Sequence, residues 1–430
     1  MQNLVAQVLP ELRSHRLNGV DLGEKAMAPF YHGYSIANLP ASVCQWLGAP
    51  PLAGETLGPA ILDQLGQRYN HVVLMLLDGL GLDMFQLYTA EEAGGRPAGA
   101  WRSLLPDALL APLTSIAPST TAAALTTLWT GCPPAQHGVM GYEVWLKEYS
   151  LVANMIHHSA AMFGGDTGGL RRAGFQAEAF LPTPVLGPHL LAHGVEPYAY
   201  MPASIARSGL SSMHLNEVNV VPYVSMSDLW VSLERVLETR AGDRTYNYVY
   251  WSELDTLSHR YGPEDERVGL EFAFFSIQLE RFLTRLKRQG RGDTLVLLTA
   301  DHGELYTPIL PTYDLKNHPE LLACLSILPS GEARLAYLYV RPGCEARLQA
   351  YVEQTWPGQF RILPAAQALE AGLWGDGQVY PAVKDRIGDY VLQAQGNAYW
   401  WWAHKENPLL GRHGGLTPKE MLVPLLAMVV

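Results

Sequence analysis

The sequence predicts an α/β fold: a doubly wound, mostly parallel sheet flanked by helices, with a smaller α+β lobe inserted late in the chain. Three observations predict it. Apolar runs that lead to an aspartate, "HVVLMLLD", "YNYVYWSELD" and "DTLVLLTAD", recur along residues 1–305. Helix-period segments lie between these runs. From 306 to 405 the texture changes to shorter apolar stretches.

Taken in order, residues 3–16 read as a short amphipathic helix with Pro10 as its weak point. A Pro- and Gly-punctuated stretch follows to about residue 70. The run from His71, closed by "DGLG", suits a strand buried on both faces of a parallel sheet. The same grammar returns ahead of Asp255 and Asp301, with helical periodicity at 227–240 and 265–289. Ligands of such sheets sit beyond the carboxyl ends of the strands, so Asp78, Asp255 and Asp301 are expected on one rim. In the lobe, "ARLAYLYVR", "FRILPA" and "DYVLQAQGNAYWWWA" read as strands, with helices near 344–355 and 364–373. The closing "GRHGGLTPKEMLVPLLAMVV" reads as a last strand of the main sheet. The expected organisation is a core of 1–305 and 406–430 with an inserted lobe of 306–405.

At 430 residues the chain exceeds one ordinary core, and 48% hydrophobic with 17% charged residues describes a folded globular protein. A net charge of -11 argues against nucleic-acid duplex binding, which phosphate neutralisation drives. It does not exclude a small phosphorylated substrate, because a bound metal can reverse the local sign. The cysteines Cys44, Cys132, Cys324 and Cys344 show no CxxC spacing, which fits a reduced compartment. No basic-then-apolar leader pattern and no span-length apolar window is present, so the expectation is a cytoplasmic protein without a membrane partner. Its oligomeric state is not legible.

The chemistry gathers at the predicted strand ends. Asp78 ends a strand, Asp255 and His259 stand four apart on one face of a helical turn, and Asp301 and His302 are adjacent. His413 lies in "GRHGG", where glycines permit close backbone approach. Three carboxylates and three imidazoles form a mixed N/O set large enough for two divalent metal ions, zinc or, as a harder alternative, manganese. Singly, each has a plainer role as a turn, cap or surface pair; together they point to a metal centre.

"APSTTAAALTTLWTGCPPAQHG", residues 117–138, places a serine and five threonines on a small-residue helix. Pro118 and Ser119 look like its start and Gly131 its stop. Ser119 or Thr120 can cap it, or one hydroxyl can do chemistry at the helix N-terminus, where an anion is favoured. A neighbouring metal would supply the acidity that a threonine hydroxyl lacks. "CPPAQ" lacks the arginine of a sulfatase signature, and "DGLGLD" lacks the third glycine of a dinucleotide fingerprint. His137, the pair His157–His158 and Trp400–Trp402 read as packing or surface residues.

The ordered set Asp78, the threonine helix through "TGCPPAQHG", "DTLSHRYGP", "TADHGE" and "GRHGG" resembles the alkaline phosphatase superfamily, in its nucleotide pyrophosphatase/phosphodiesterase branch. In that family the nucleophile lies nine residues before the threonine of the closing Thr-Gly, which here is Thr121. The resemblance implies one metal on Asp255, His259 and His413, and a second on Asp78, Asp301 and His302 with Thr121 as its reactive ligand. It implies a two-metal phosphodiesterase or nucleotide pyrophosphatase, acting on small phosphorylated substrates such as nucleotides through a phospho-threonine intermediate. Alternatives on the same core are a phosphomonoesterase, a phosphonate hydrolase or a phosphomutase; of another class, a non-catalytic binding protein derived from such an enzyme. Phosphodiesterase members commonly carry an aromatic-Pro-Asn after the nucleophile and a later asparagine that holds a phosphoryl oxygen. Here Thr121 precedes "AAA", and Tyr142 stands near the later place as the substrate-binding candidate.

Overall fold

In the computed structural model, which describes residues 2–66, 68–90, 98–162 and 166–430, the three aspartate-tipped runs form neighbouring strands. Thr294–Thr299, His71–Leu77 and Thr245–Trp251 lie side by side and parallel at the centre of an eight-stranded sheet. Every residue of the three is buried, as continuous apolar runs without alternation demand of strands covered on both faces. Each fully buried Leu or Val contributes roughly 1.5–3 kcal/mol by leaving water, so this ribbon anchors the fold.

Glu196–Pro202 and Asn219–Tyr223 extend the sheet in parallel on one side. On the other, Leu422–Val429 enters antiparallel between Thr294–Thr299 and Leu109–Thr114, and Gln2–Asn3 completes the edge. The mostly parallel sheet flanked by helices is therefore as the patterning predicts. The amphipathic segments form Val5–Ser14, with Pro10 inside it, Met226–Thr239 and Glu266–Gln289.

A second, seven-stranded antiparallel sheet runs in the order Phe360–Pro364, Tyr390–Ala394, Leu335–Leu338, Ser330–Glu332, Glu143–Leu146, Leu151–Asn154, Ser159–Ala160. It thus draws strands from 143–160 as well as from 306–405. Gly331 pairing with Glu143 makes the junction. Glu332, which ends the 330–332 strand, shares a hydrogen bond with Thr120, the residue before the helix that follows Leu109–Thr114. Arg334 and Glu420, both fully buried, lock the sheets together through bonds of 2.6 and 2.9 Å. Arg334 also donates to the carbonyls of Ala398 and Gly396, while Glu420 accepts from Gly415 N and Thr417 Oγ1. Among the described residues no helix is long and apolar enough to cross a membrane.

Candidate active site

The register of the central strands builds the site. Thr299 pairs with Leu76, and Leu77 with Trp251, so the three chains leave the sheet at one level. Asp78 follows one strand directly and Asp301 lies two residues past another. Asp255 sits in the first turn of the helix Glu253–Tyr261, one turn further from its strand than the sequence pattern suggests. Gly79, at φ +78°, lets that helix approach: a Cβ there would meet Asp255 Cα at 3.1 Å. His259 follows one helical turn later, with Nε2 3.3 Å from Asp255 Oδ1. The short strand Gly411–Arg412 pairs with Leu305–Tyr306 and delivers His413, whose Nε2 lies 3.8 Å from the same oxygen.

His302 Nε2 is 3.4 Å from Asp78 Oδ1, 3.4 Å from Asp301 Oδ2 and 3.2 Å from Thr121 Oγ1. The rings of His302 and His413 stack at 3.8 Å, and those of His259 and His413 lie 5.2 Å apart. All seven side chains expected at a metal centre therefore meet in one place.

The hydrogen bonds around the centre orient its donors. His259 Nδ1 donates to Gly411 O at 2.9 Å, His302 Nδ1 to Gly303 O at 3.2 Å, and His413 Nδ1 to Ser119 O at 3.2 Å. A carbonyl only accepts, so each ring carries its proton on Nδ1 and turns the Nε2 lone pair inward. Asp78 Oδ2 accepts from the Tyr250 hydroxyl, and Asp301 Oδ1 from the N–H groups of Gly79 and His302. Asp78 Oδ1, Asp255 Oδ1 and Asp301 Oδ2 are buried and have no hydrogen-bond partner. Burial together with the neighbouring Asp301 and Asp255 pushes Asp78 well above the carboxylate range, and burial likewise raises Asp301. Burial, with His302 and His259 beside it, holds His413 well below the usual imidazole value.

Divalent ions fit this set. Orphaned, inward-facing carboxylate oxygens and imidazole lone pairs are costly to bury and are satisfied together by a cation. Four donors about 2.0–2.2 Å from a tetrahedral ion stand about 3.3–3.6 Å apart, and most of the separations above match that edge. Two sets of mutually close donors emerge, Asp255 with His259, Glu304 and His413, and Asp78 with Asp255 and His302. Glu304 and Tyr250 join the centre without a signal in the sequence. A glutamate opening a short strand and a tyrosine inside a long one carry no distinctive local signal.

The threonine-rich segment resolves hydroxyl by hydroxyl. The helix runs Thr121–Thr130 with Thr120 as N-cap and Gly131 closing it at φ +70°. It therefore starts two residues later than Pro118–Ser119 suggest. Ser119 is held outside the helix instead: its Oγ donates to Gly415 O at 2.7 Å and its carbonyl accepts from Gly414 N. Thr120 makes no side-chain cap bond and engages Glu332. Thr126 bonds His214 and Ala122 O, Thr127 bonds His137, and Thr130 turns back to Thr126 O. Only Thr121 of the group points its hydroxyl at the acid and imidazole centre.

Tyr142 lies on the second sheet's side of this region. Its backbone N–H donates to Glu332 Oε1 at 2.7 Å and its side chain bonds Asn154. Among the described residues no hydrogen bond joins it to Thr121. His137 braces the turn after the helix by accepting from Val139 N. His158 is buried against Phe175. Trp400 packs with Trp356 and Phe360, and Trp402 Nε1 donates to Glu143.

A family model described as Type I phosphodiesterase / nucleotide pyrophosphatase matches residues 72–415. The chain belongs to this family. It is a phosphoester hydrolase of the alkaline phosphatase superfamily, whose members are typically dependent on divalent metal. No curated protein matches it by sequence. Among solved structures, mouse ectonucleotide pyrophosphatase/phosphodiesterase 5 superposes with TM-score 0.61 at 16% identity, covering 83% of this chain and 87% of that one. Phosphonoacetate hydrolase from Sinorhizobium meliloti 1021, bound to phosphonoformate, superposes with TM-score 0.58 at 18% identity, covering 83% and 90%. At these identities the likeness establishes the shared fold.

Proposed function

We propose that this phosphoester hydrolase cleaves phosphate diesters or phosphoanhydrides of small substrates, nucleotides included, through a phospho-threonine intermediate at Thr121. The observation that carries the reading is the 3.2 Å approach of Thr121 Oγ1 to His302 Nε2, in a set where Asp78, Asp301 and His302 are buried and Asp255, His259 and His413 half-buried. Asp255, His259 and His413 would hold one divalent ion. Asp78, Asp301 and His302, with Thr121, would hold the other. Zinc suits these mixed donors, with manganese the alternative. When bound, the ions supply positive charge that lets a threonine hydroxyl ionise near neutral pH and offsets charge growing on the phosphoryl group.

The chain's own residues do the rest. The Thr121 hydroxyl gives its proton to solvent and Oγ1 bonds to phosphorus as the bond to the leaving oxygen, which takes up a proton from water, breaks on the opposite side. The first helical turn leaves the N–H groups of Thr121, Ala122 and Ala123 without intrahelical acceptors, since the first such bond is Ala124 N to Thr120 O. Those donors and the helix dipole favour the non-bridging oxygens. Water then attacks phosphorus, the Oγ1–phosphorus bond breaks, and Thr121 regains its proton. The mouse relative's structure with AMP, in an inactive threonine-to-alanine variant, supports both the nucleophile type and a nucleotide substrate.

A second reading, phosphonate hydrolysis, is favoured by the Sinorhizobium structural relative. Steady-state kinetics with bis-p-nitrophenyl phosphate, p-nitrophenyl phosphate and phosphonoacetate separate the two. The diesterase reading expects kcat/KM for the diester to exceed the others at least tenfold; preference for the monoester or the phosphonate overturns it.

A further inference from the structure

Glu304 follows the Asp301-His302-Gly303 turn and is buried so completely that its side chain has 0% exposure. Neither carboxylate oxygen has a hydrogen-bond partner. The groups that could serve it are committed elsewhere. His259 Nδ1, 3.8 Å away, already donates to Gly411 O. Arg412, whose charge acts on Glu304, turns both terminal nitrogens to Thr307 Oγ1, Leu409 O and Asn407 Oδ1 over the Tyr399 ring, and its Nε makes no hydrogen bond. Lys419 reaches Glu264 instead.

What Glu304 does face is the site. One of its oxygens lies within 4.8 Å of donor atoms on Asp255, His259 and His413, and all four are mutually that close. Asp255 Oδ1 is likewise orphaned. The backbone makes room for the arrangement: a Cβ on Gly411 would stand 2.4 Å from Glu304 Oε2. A buried carboxylate close to a second carboxylate and two imidazoles is costly in a protein, and a cation joining them would offset that cost.

We infer that Glu304 is a fourth side-chain donor to the divalent ion at the Asp255–His259–His413 site and biases that site toward a harder ion of higher coordination number. This rests on the two-ion reading above. The physical consequence follows from donor count. Four protein donors complete a tetrahedral zinc and leave it no open position, whereas an ion that accepts five or six retains places for substrate. Two carboxylates and two imidazoles also suit manganese better than a site with one carboxylate does.

The test strips the full-length protein of metal with a chelator. It then titrates Zn2+ and Mn2+ separately against a fluorescent competitor, for wild type and Glu304→Gln, with melting curves of both metal-free proteins. Wild type is expected to bind two ions. Glu304→Gln is expected to bind one of them at least tenfold more weakly, with the larger loss for Mn2+. The melting curves establish that both metal-free proteins are folded. Unchanged affinities, or equal losses for the two ions in a folded variant, would overturn the inference. A wild type that binds no ion would instead refute the two-ion reading itself.

Discussion

Thr121 Oγ1 lies 3.2 Å from His302 Nε2, and the other nitrogen of that ring is tied to the carbonyl of Gly303. The backbone thus decides which imidazole lone pair meets the hydroxyl. Thr121 itself is fixed from two sides. Its helix begins there because Ser119 is bound to Gly415, and the preceding strand is clamped to the last strand through Ser115 N and Met421 O at 2.6 Å. Main-chain contacts thus set the position of Thr121 and the orientation of the ring that its hydroxyl meets.

Tyr250 donates its hydroxyl to Asp78 Oδ2, leaving Oδ1 to face the centre. Such outer hydrogen bonds orient metal-binding carboxylates. Tyr250→Phe should lower affinity for one metal ion by roughly 10- to 100-fold while leaving the fold intact. Chelator competition with circular dichroism as control checks this; unchanged affinity would show that Asp78 needs no such support.

The Arg334–Glu420 pair joins the second sheet to the segment that follows His413. Arg334→Met leaves the buried Glu420 carboxylate without its bidentate partner and should destabilise the protein by about 3–5 kcal/mol. Denaturant unfolding measures it. A loss below about 1 kcal/mol would mean that the carboxylate's bonds to Gly415 and Thr417 suffice alone.

Glu332 predicts a pH dependence. Burial pushes its carboxyl up from 4.5 to about 8, against hydrogen bonds from Thr120 and Tyr142 N that pull it down. The native state therefore holds a proton that the unfolded chain has lost between those values. The associated stability is complete below 4.5 and disappears as pH rises through about 8. Glu332→Gln should accordingly gain melting temperature over wild type progressively from about pH 5 to 8.5, then no further. Parallel melting profiles across that window would refute the assignment.

Much of this centre is legible in the sequence because parallel strands buried on both faces are written as unbroken apolar runs. The acids ending or following those runs lie at a common sheet edge, so Asp78 and Asp301 can be placed without coordinates. The four-residue spacing of Asp255 and His259 is equally explicit once a helix is expected. Other contacts have no local signature. Arg334 and Glu420 are 86 residues apart, and nothing near either says that its partner is a buried opposite charge. The strands at 143–160 are short and cross to a sheet whose other members lie beyond residue 329. Tyr142 was expected near the phosphate from its place after "HG". Its ties to Glu332 and Asn154 arise from that same long-range sheet pairing.

Thr121 is expected to be the attacking group, with the surrounding acids and imidazoles holding the metal without it. Measuring bound metal per chain and turnover of bis-p-nitrophenyl phosphate on the same preparations of wild type and Thr121→Ala tests this directly. Thr121→Ala should retain two ions per chain and lose turnover by at least a thousandfold, roughly 4 kcal/mol of transition-state stabilisation. Turnover within tenfold of wild type, at equal metal content, would contradict it.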